Sequence, residues 1–207
     1  MDTDFQHIVQ LIESAKERVY VKANSELVAL YFNVGNILSD KISKGVWGDK
    51  TMTALADFIH TKMPNLSGFN RRGLYRMKQF YETHAVNSEV FKLWEELFFS
   101  VERTEKQDVL IVSPTATQFQ KHQFYMENVL LKVSWSQHLD IFSSIRNPEE
   151  ILFYLLQTIT EKWTKAELRR QLKTATYERT LLAKQATSPT VQKLDNVQTL
   201  FKDPYVF

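Results

Sequence analysis

The sequence predicts an all-α protein made of two three-helix, helix-turn-helix-like units joined by an aromatic-rich connecting region. Three observations carry that expectation. Apolar residues recur at helical spacing along most of the 207 residues, and only 5 Gly and 5 Pro interrupt them, too few for a turn-dense β sandwich. Side chains able to cap helices precede several of these stretches, most clearly at Asn70, Asn147-Pro148 and Thr164. A 43% hydrophobic share with 14 Phe, 8 Tyr and 4 Trp supplies bulk for one large domain or two small ones. The expected division is 1–84 for a first helical unit, 85–119 for a connecting arm, 120–184 for a second unit and 185–207 for a linker.

Taken in order, Ile8, Leu11, Ile12, Ala15 and Val19 predict an amphipathic helix over about 5–21 whose apolar stripe packs inside the chain. A second helix is expected from Asn24-Ser25, which can cap it, with Leu27, Leu30, Tyr31, Val34, Ile37, Leu38 and Ile42 on its inner side and Gly45 at its end. Gly35 inside that helix costs roughly 1 kcal/mol against Ala, which marks a place where another backbone comes close. Met52, Leu55, Ala56, Ile59 and Met63 stripe a third helix, for which Asp49 or Thr51 is the expected cap.

The stretch from Pro64 to Glu82 reads as a loop feeding a helix capped by Asn70. Leu74, Met77, Phe80 and Tyr81 fall on one side at about 100° per residue, and Arg72, Tyr75, Arg76 and Gln79 fall opposite. The approach loop, about residues 64–69, is longer than the 3–4 residues usual in a helix-turn-helix. Between 85 and 117, Phe91, Trp94, Leu97, Phe98 and Val101 have helical spacing, while Val109–Val112 reads as a strand or a helix end. Its aromatic density suits a homodimer contact as well as an internal core.

A helix over about 120–133 precedes the second unit. Trp135, Leu139, Ile141 and Phe142 mark a short helix, and Asn147-Pro148-Glu149-Glu150 starts the next with a cap, Pro at the first position and acids in the first turn. Thr164-Lys165-Ala166-Glu167 has the form of a capping box, and Leu168, Leu172, Ala175 and Leu182 are expected on one side of the helix it opens. Lys165, Arg169 and Lys173 form a stripe at i, i+4 and i+8, with Arg170 further round. Residues 161–184 hold seven Lys or Arg against three Glu, a net of +4 in a chain whose total is +2.

These clusters give the candidate DNA-binding residues Arg71, Arg72, Tyr75, Arg76, Gln79, Lys165, Arg169, Arg170 and Lys173. On the residues alone, a solvated charged face explains them equally well. His7, His60, His84, His122 and His138 have no metal-site spacing and are expected to be structural; neither metal nor cofactor is expected. Ser134, Ser136 and His138 lack an acid partner and an oxyanion hole, so no catalytic site is expected. The four Trp are expected to anchor the core. The absence of Cys excludes disulfides and thiol catalysis. With no apolar run near 20 residues and no signal-peptide start, a cytoplasmic protein away from membranes is expected.

Leu30–Ile37, Gly45-Val46-Trp47-Gly48, Gly68–Tyr81, Val133–His138, Glu150–Leu155 and Trp163–Leu168 together resemble the N-terminal domain of the YhcG-like family. In that bacterial family a helical N-terminal domain precedes a PD-(D/E)xK nuclease domain. The resemblance implies a non-catalytic module that binds double-stranded DNA for a nuclease linked to restriction-modification or DNA defence. The alternative is a protein-interaction or dimerisation module joining the nuclease to a restriction-modification partner. The nuclease pattern of Pro-Asp followed by Glu-x-Lys is missing from the sequence, so the catalytic half is expected to be absent.

Overall fold

The computed structural model describes residues 2–100 and 117–186, and among these residues there are only helices and connections. The order is α1 (Asp2–Ser43), α2 (Asp49–Lys62), α3 (Arg71–His84), α4 (Glu89–Ser100), α5 (Gln118–Asn128), a 3-10 turn (Leu130–Lys132), α6 (Trp135–Ser144), α7 (Pro148–Thr160), α8 (Lys165–Lys173) and α9 (Thr176–Ala186). The all-α expectation holds. Val109–Val112 and 187–207 lie outside the described residues, and the first two residues of the linker expected over 185–207 are instead the end of α9.

The two helices expected before Gly45 are one helix of 42 residues. Asn24 and Ser25 do not cap a new helix because tertiary and helical acceptors take their side chains. Asn24 Nδ2 donates to the carbonyls of Leu131 and Val133 at 3.2 and 3.3 Å, and Ser25 Oγ donates to the Val21 carbonyl at 2.9 Å. The helix ends where expected, at Gly45 with φ +69, a left-handed conformation that glycine adopts without steric cost.

From Asn24 onward α1 lies across α3, and Gly35 sets their distance. A Cβ built on Gly35 would stand 2.1 Å from the Met77 carbonyl oxygen and 2.8 Å from Tyr81 Cβ, so only glycine allows this approach. That places Tyr31 and Leu38 beside Leu74 and Met77 in a smaller core with Met52, Ala56 and Phe69. One helical turn further along α3, Phe80 enters a larger core with Val28, Phe32, Trp94, Tyr125, Ile141, Tyr154, Leu155 and Leu168. Trp135 packs against both, its ring centroid 4.5 Å from that of Tyr31 and 5.3 Å from that of Phe80.

Residues 89–98 take the internal-core alternative: Val90, Phe91, Trp94 and Phe98 are buried, with Trp94 stacked on Phe98 at 5.0 Å. Asn147 caps α7 as expected, accepting from the amides of Glu149 and Glu150 at 2.8 and 3.2 Å. Thr164 caps α8 through the Glu167 amide, but the Glu167 carboxylate does not reach back, because Arg170 and Gln171 hold it. The full capping boxes are at Thr117/Gln120 and Ser134/Gln137. The helix expected to run from Lys165 past Leu182 breaks after Lys173, where Ala175 turns to φ +48, and Leu182 is exposed. Asp49 corrects another expectation: α2 starts after Gly48 without a side-chain cap, and the Asp49 carboxylate is used across the helix pair.

Replacing Gly35 by Ala forces α1 and α3 apart at their closest point. The expected cost is about 2–3 kcal/mol or more, read as a lower urea midpoint with unchanged slope. The same change at exposed Gly48, where a Cβ meets nothing within 4 Å, is the control and should move the midpoint little.

Candidate nucleic-acid interface

The first basic helix is held by its N-terminus and its apolar face. Asn70 Oδ1 accepts from the Gly73 amide at 2.8 Å, and a Cβ on Gly73 would stand 1.8 Å from the Gly68 carbonyl, so the loop folds tightly over the first turn. Leu74, Met77, Phe80 and His84 are buried, as the periodicity requires except that His84 stands where Tyr81 was expected; Tyr81 is half-buried. Arg71 and Arg72 are exposed at the first turn, and Tyr75, Arg76 and Gln79 are half-buried beside them.

Asp49 of α2 restrains part of this face. The Tyr75 hydroxyl donates to its carboxylate, Arg71 Nη2 lies 3.1 Å from it, and the Arg71 guanidinium sits 5.5 Å from the Tyr75 ring centroid. These partners, the Tyr75 hydroxyl first, hold the Asp49 carboxyl below its ordinary pKa. Tyr75 is thus a tether between α2 and α3. Arg72 and Arg76 form no ion pair among the described residues.

On α8, Lys165, Arg169, Arg170 and Lys173 are all exposed, while Leu168 is fully buried and fixes the helix to the larger core. Arg169 grips Asp140 of α6 with two bonds of 2.8 and 2.9 Å. Arg170 grips Glu167 with bonds of 2.9 and 2.6 Å, and with Gln171 it lowers the Glu167 pKa to about 2. Lys165 and Lys173 form no ion pair among the described residues. The helix α6 packs against both α3 and α8, so the two basic helices flank one element.

The clefts carry the opposite character. One of about 320 Å³ is lined by Glu82, Glu89 and Arg146 among others, and one of about 450 Å³ by Asp40 and Glu82 with Ser39 and Asn36. The basic faces of α3 and α8 lie on the outer side of their helices, apart from these clefts.

The family model of the DUF1016 N-terminal domain matches residues 7–179, which include both basic helices. The chain belongs to this family, the N-terminal domain of the YhcG family. No curated protein and no solved structure matches it.

In this DUF1016 N-terminal domain three of the five histidines expected to be structural are buried and hydrogen-bonded. His84 Nδ1 and the Tyr125 hydroxyl share a hydrogen bond of 2.9 Å, His122 Nε2–H donates to the His84 carbonyl at 2.8 Å, and His138 Nε2–H donates to the Leu130 carbonyl at 2.9 Å. Ser134 caps α6 and accepts from the Gln137 amide, so it and His138 have structural uses. The three histidines come from positions 84, 122 and 138, a proximity no local motif encodes. Among the described residues, no group of three His, Asp or Glu is placed to hold a metal. No helix among them is long and apolar enough to cross a membrane.

Burial lowers the pKa of all three histidines, that of His138 to about 4, and His84 is lowered further by its two neighbours. The unfolded chain then binds more protons than the folded one between pH 4 and the ordinary histidine value near 6.5. The contribution is complete above that value and lost as pH falls through the interval. His138 alone accounts for on the order of 3 kcal/mol by pH 4. Urea midpoints measured from pH 7.5 to 4.5 should fall steadily below pH 6.5, and His138→Gln should make the fall shallower.

Proposed function

We propose that this domain is a non-catalytic module that binds double-stranded DNA through phosphate contacts and positions a PD-(D/E)xK nuclease in restriction-modification or DNA defence. The observation that carries this reading is the set Arg72, Arg76, Lys165 and Lys173. These cations lie on two helices whose opposite faces are locked into the core, and none is neutralised by an acid among the described residues. A rigid helix presenting unpaired cations releases counterions on meeting a phosphate backbone without first breaking an internal pair.

Arg71, Arg169 and Arg170 are the second rank of contacts. The Arg71 and Arg170 pairs are open to solvent, so a phosphate can replace the carboxylate at small cost, whereas Arg169 holds the largely covered Asp140 with two bonds and gives it up less readily. Gln79 lies further along the α3 face and would meet the duplex only if that helix enters a groove. The family membership and the nuclease association implied by the sequence resemblance support the same reading.

The test is a salt titration of duplex binding by the wild-type chain and by the Arg72→Ala/Arg76→Ala/Lys165→Ala/Lys173→Ala variant. The variant should bind tenfold or more weakly whatever the sequence of the duplex, with a slope of log affinity on log salt shallower by about 3–4. An Arg169→Ala/Arg170→Ala variant should lose less. Unaltered affinity in the quadruple variant, or no duplex binding by the wild type at about 50 mM salt, overturns the proposal.

A further inference from the structure

The stripe on the first half of α1 is exposed among the described residues. Phe5, Ile8, Ile12 and Val19 are between 50% and 66% exposed, and Ala15, Val9 and Leu11 are exposed beside them. The second half of the same helix buries Val28, Tyr31, Phe32 and Leu38. Phe5, Ile12 and Val19 lie roughly 140–180° around the helix from Val28 and Phe32, and about 60–120° from Tyr31 and Leu38, so the free stripe faces away from the larger core.

Phe5, Ile8, Ile12, Ala15 and Val19 follow the 3-4-3-4 spacing of a heptad seam, and Lys22 then ends it just before Asn24 ties the helix to the domain. We propose that this arm, residues 4–19, pairs with the same arm of a second copy as an antiparallel two-stranded coiled coil.

Charge and size choose both partner and direction. Set antiparallel with Ile8 opposite Ile12 of the second copy, the seam also places Phe5 against Ala15, a large side chain against a small one, on both sides of the dyad. In that register the flanking residue Asp4 comes beside Arg18 of the second copy, Leu11 meets its own equivalent and Val9 meets its own equivalent. A parallel pair would instead stack Phe5 on Phe5 and set Asp4 beside Val9, Leu11 beside Lys16 and Arg18 beside Ala23, with no opposite charges in contact. Five large apolar side chains per copy, Phe5, Ile8, Val9, Leu11 and Ile12, remove on the order of 1,000 Å² from water, the range of a weak, reversible contact. The dyad at residue 10 puts the two copies of Asn24 about 42 Å apart along the paired helices, so the domains do not collide.

The seam is exposed, so it can be altered without touching the core. Light scattering of the full chain across 1–100 µM should show a monomer–dimer equilibrium, and Ile8→Asp/Ile12→Asp should leave a monomer with the wild-type thermal midpoint. Asp4→Arg or Arg18→Asp alone should weaken the dimer several-fold, and the two together should restore it. Because the chain has no Cys, Phe5→Cys and Ala15→Cys variants report direction. Antiparallel pairing gives a disulfide only when the two are mixed, and self-linked Phe5→Cys chains would show a parallel pair and overturn the register. A wild-type monomer at 100 µM, or a dimer that survives Ile8→Asp/Ile12→Asp, overturns the proposal. Neither result depends on whether the domain binds DNA, since no candidate DNA contact lies on the arm.

Discussion

The close approach of α1 to α3, between Gly35 and the Met77 carbonyl, is the constraint on which the rest of the fold depends. It fixes α3 against α1 at a distance that no larger residue permits. Above the contact, Leu74 and Met77 close the smaller core; below it, Phe80 enters the larger one and meets Trp135, His138 and Phe142 at ring distances of 5.3, 4.8 and 6.3 Å. A helix locked on one side in two successive layers has no freedom to roll. Its outer side, with Arg72, Arg76 and Gln79, is therefore oriented by packing that begins at a glycine on another helix.

Electrostatics then sorts the cations that packing has placed. Asp49 and Asp140 each take one arginine from the basic faces, and Glu167 takes another from within its own helix. Arg71 and Arg169 are drawn across to neighbouring helices, where they also help hold α2 to α3 and α6 to α8. The residues left unpaired are those whose charge is available to an outside anion. Asp140 is the most covered of these three acids, so its pair with Arg169 is held more firmly than the open pairs at Arg71 and Arg170.

Much of this was legible in the sequence where the physics is local. Asn70 and Asn147 cap their helices because a short oxygen-bearing side chain before an apolar stripe satisfies a nearby amide, and Gly35 announced a close contact because glycine in a helix is costly without one. Expectations failed where a distant group outcompeted the local signal. Asn24 and Ser25 look like a cap, but the carbonyls of Leu131 and Val133, over 100 residues away, claim Asn24 and let the helix run through. Asp49 looked like a cap and serves Tyr75 and Arg71 instead. The histidine network joins positions 84, 122 and 138, and the break at Ala175 follows no Gly or Pro, so neither left a mark in spacing.

The continuity of α1 has a consequence for its outer half. A free helix of about 20 residues is marginal in water because its first turn fixes several residues for a single hydrogen bond. Here the nucleus already exists: residues 24–43 are held helical by the core, and each residue added toward the N-terminus needs only the cheaper propagation step. The apolar seam is thus presented on a preformed rod, and association does not have to order the chain first. The cost of ordering the helix is met before the partner arrives, leaving the translational and rotational cost of association. The same pair of capping-type residues that misleads a local reading, Asn24 and Ser25, is where the rod leaves the domain. By bonding Leu131 and Val133 rather than ending the helix, Asn24 anchors the base of the arm that carries the seam.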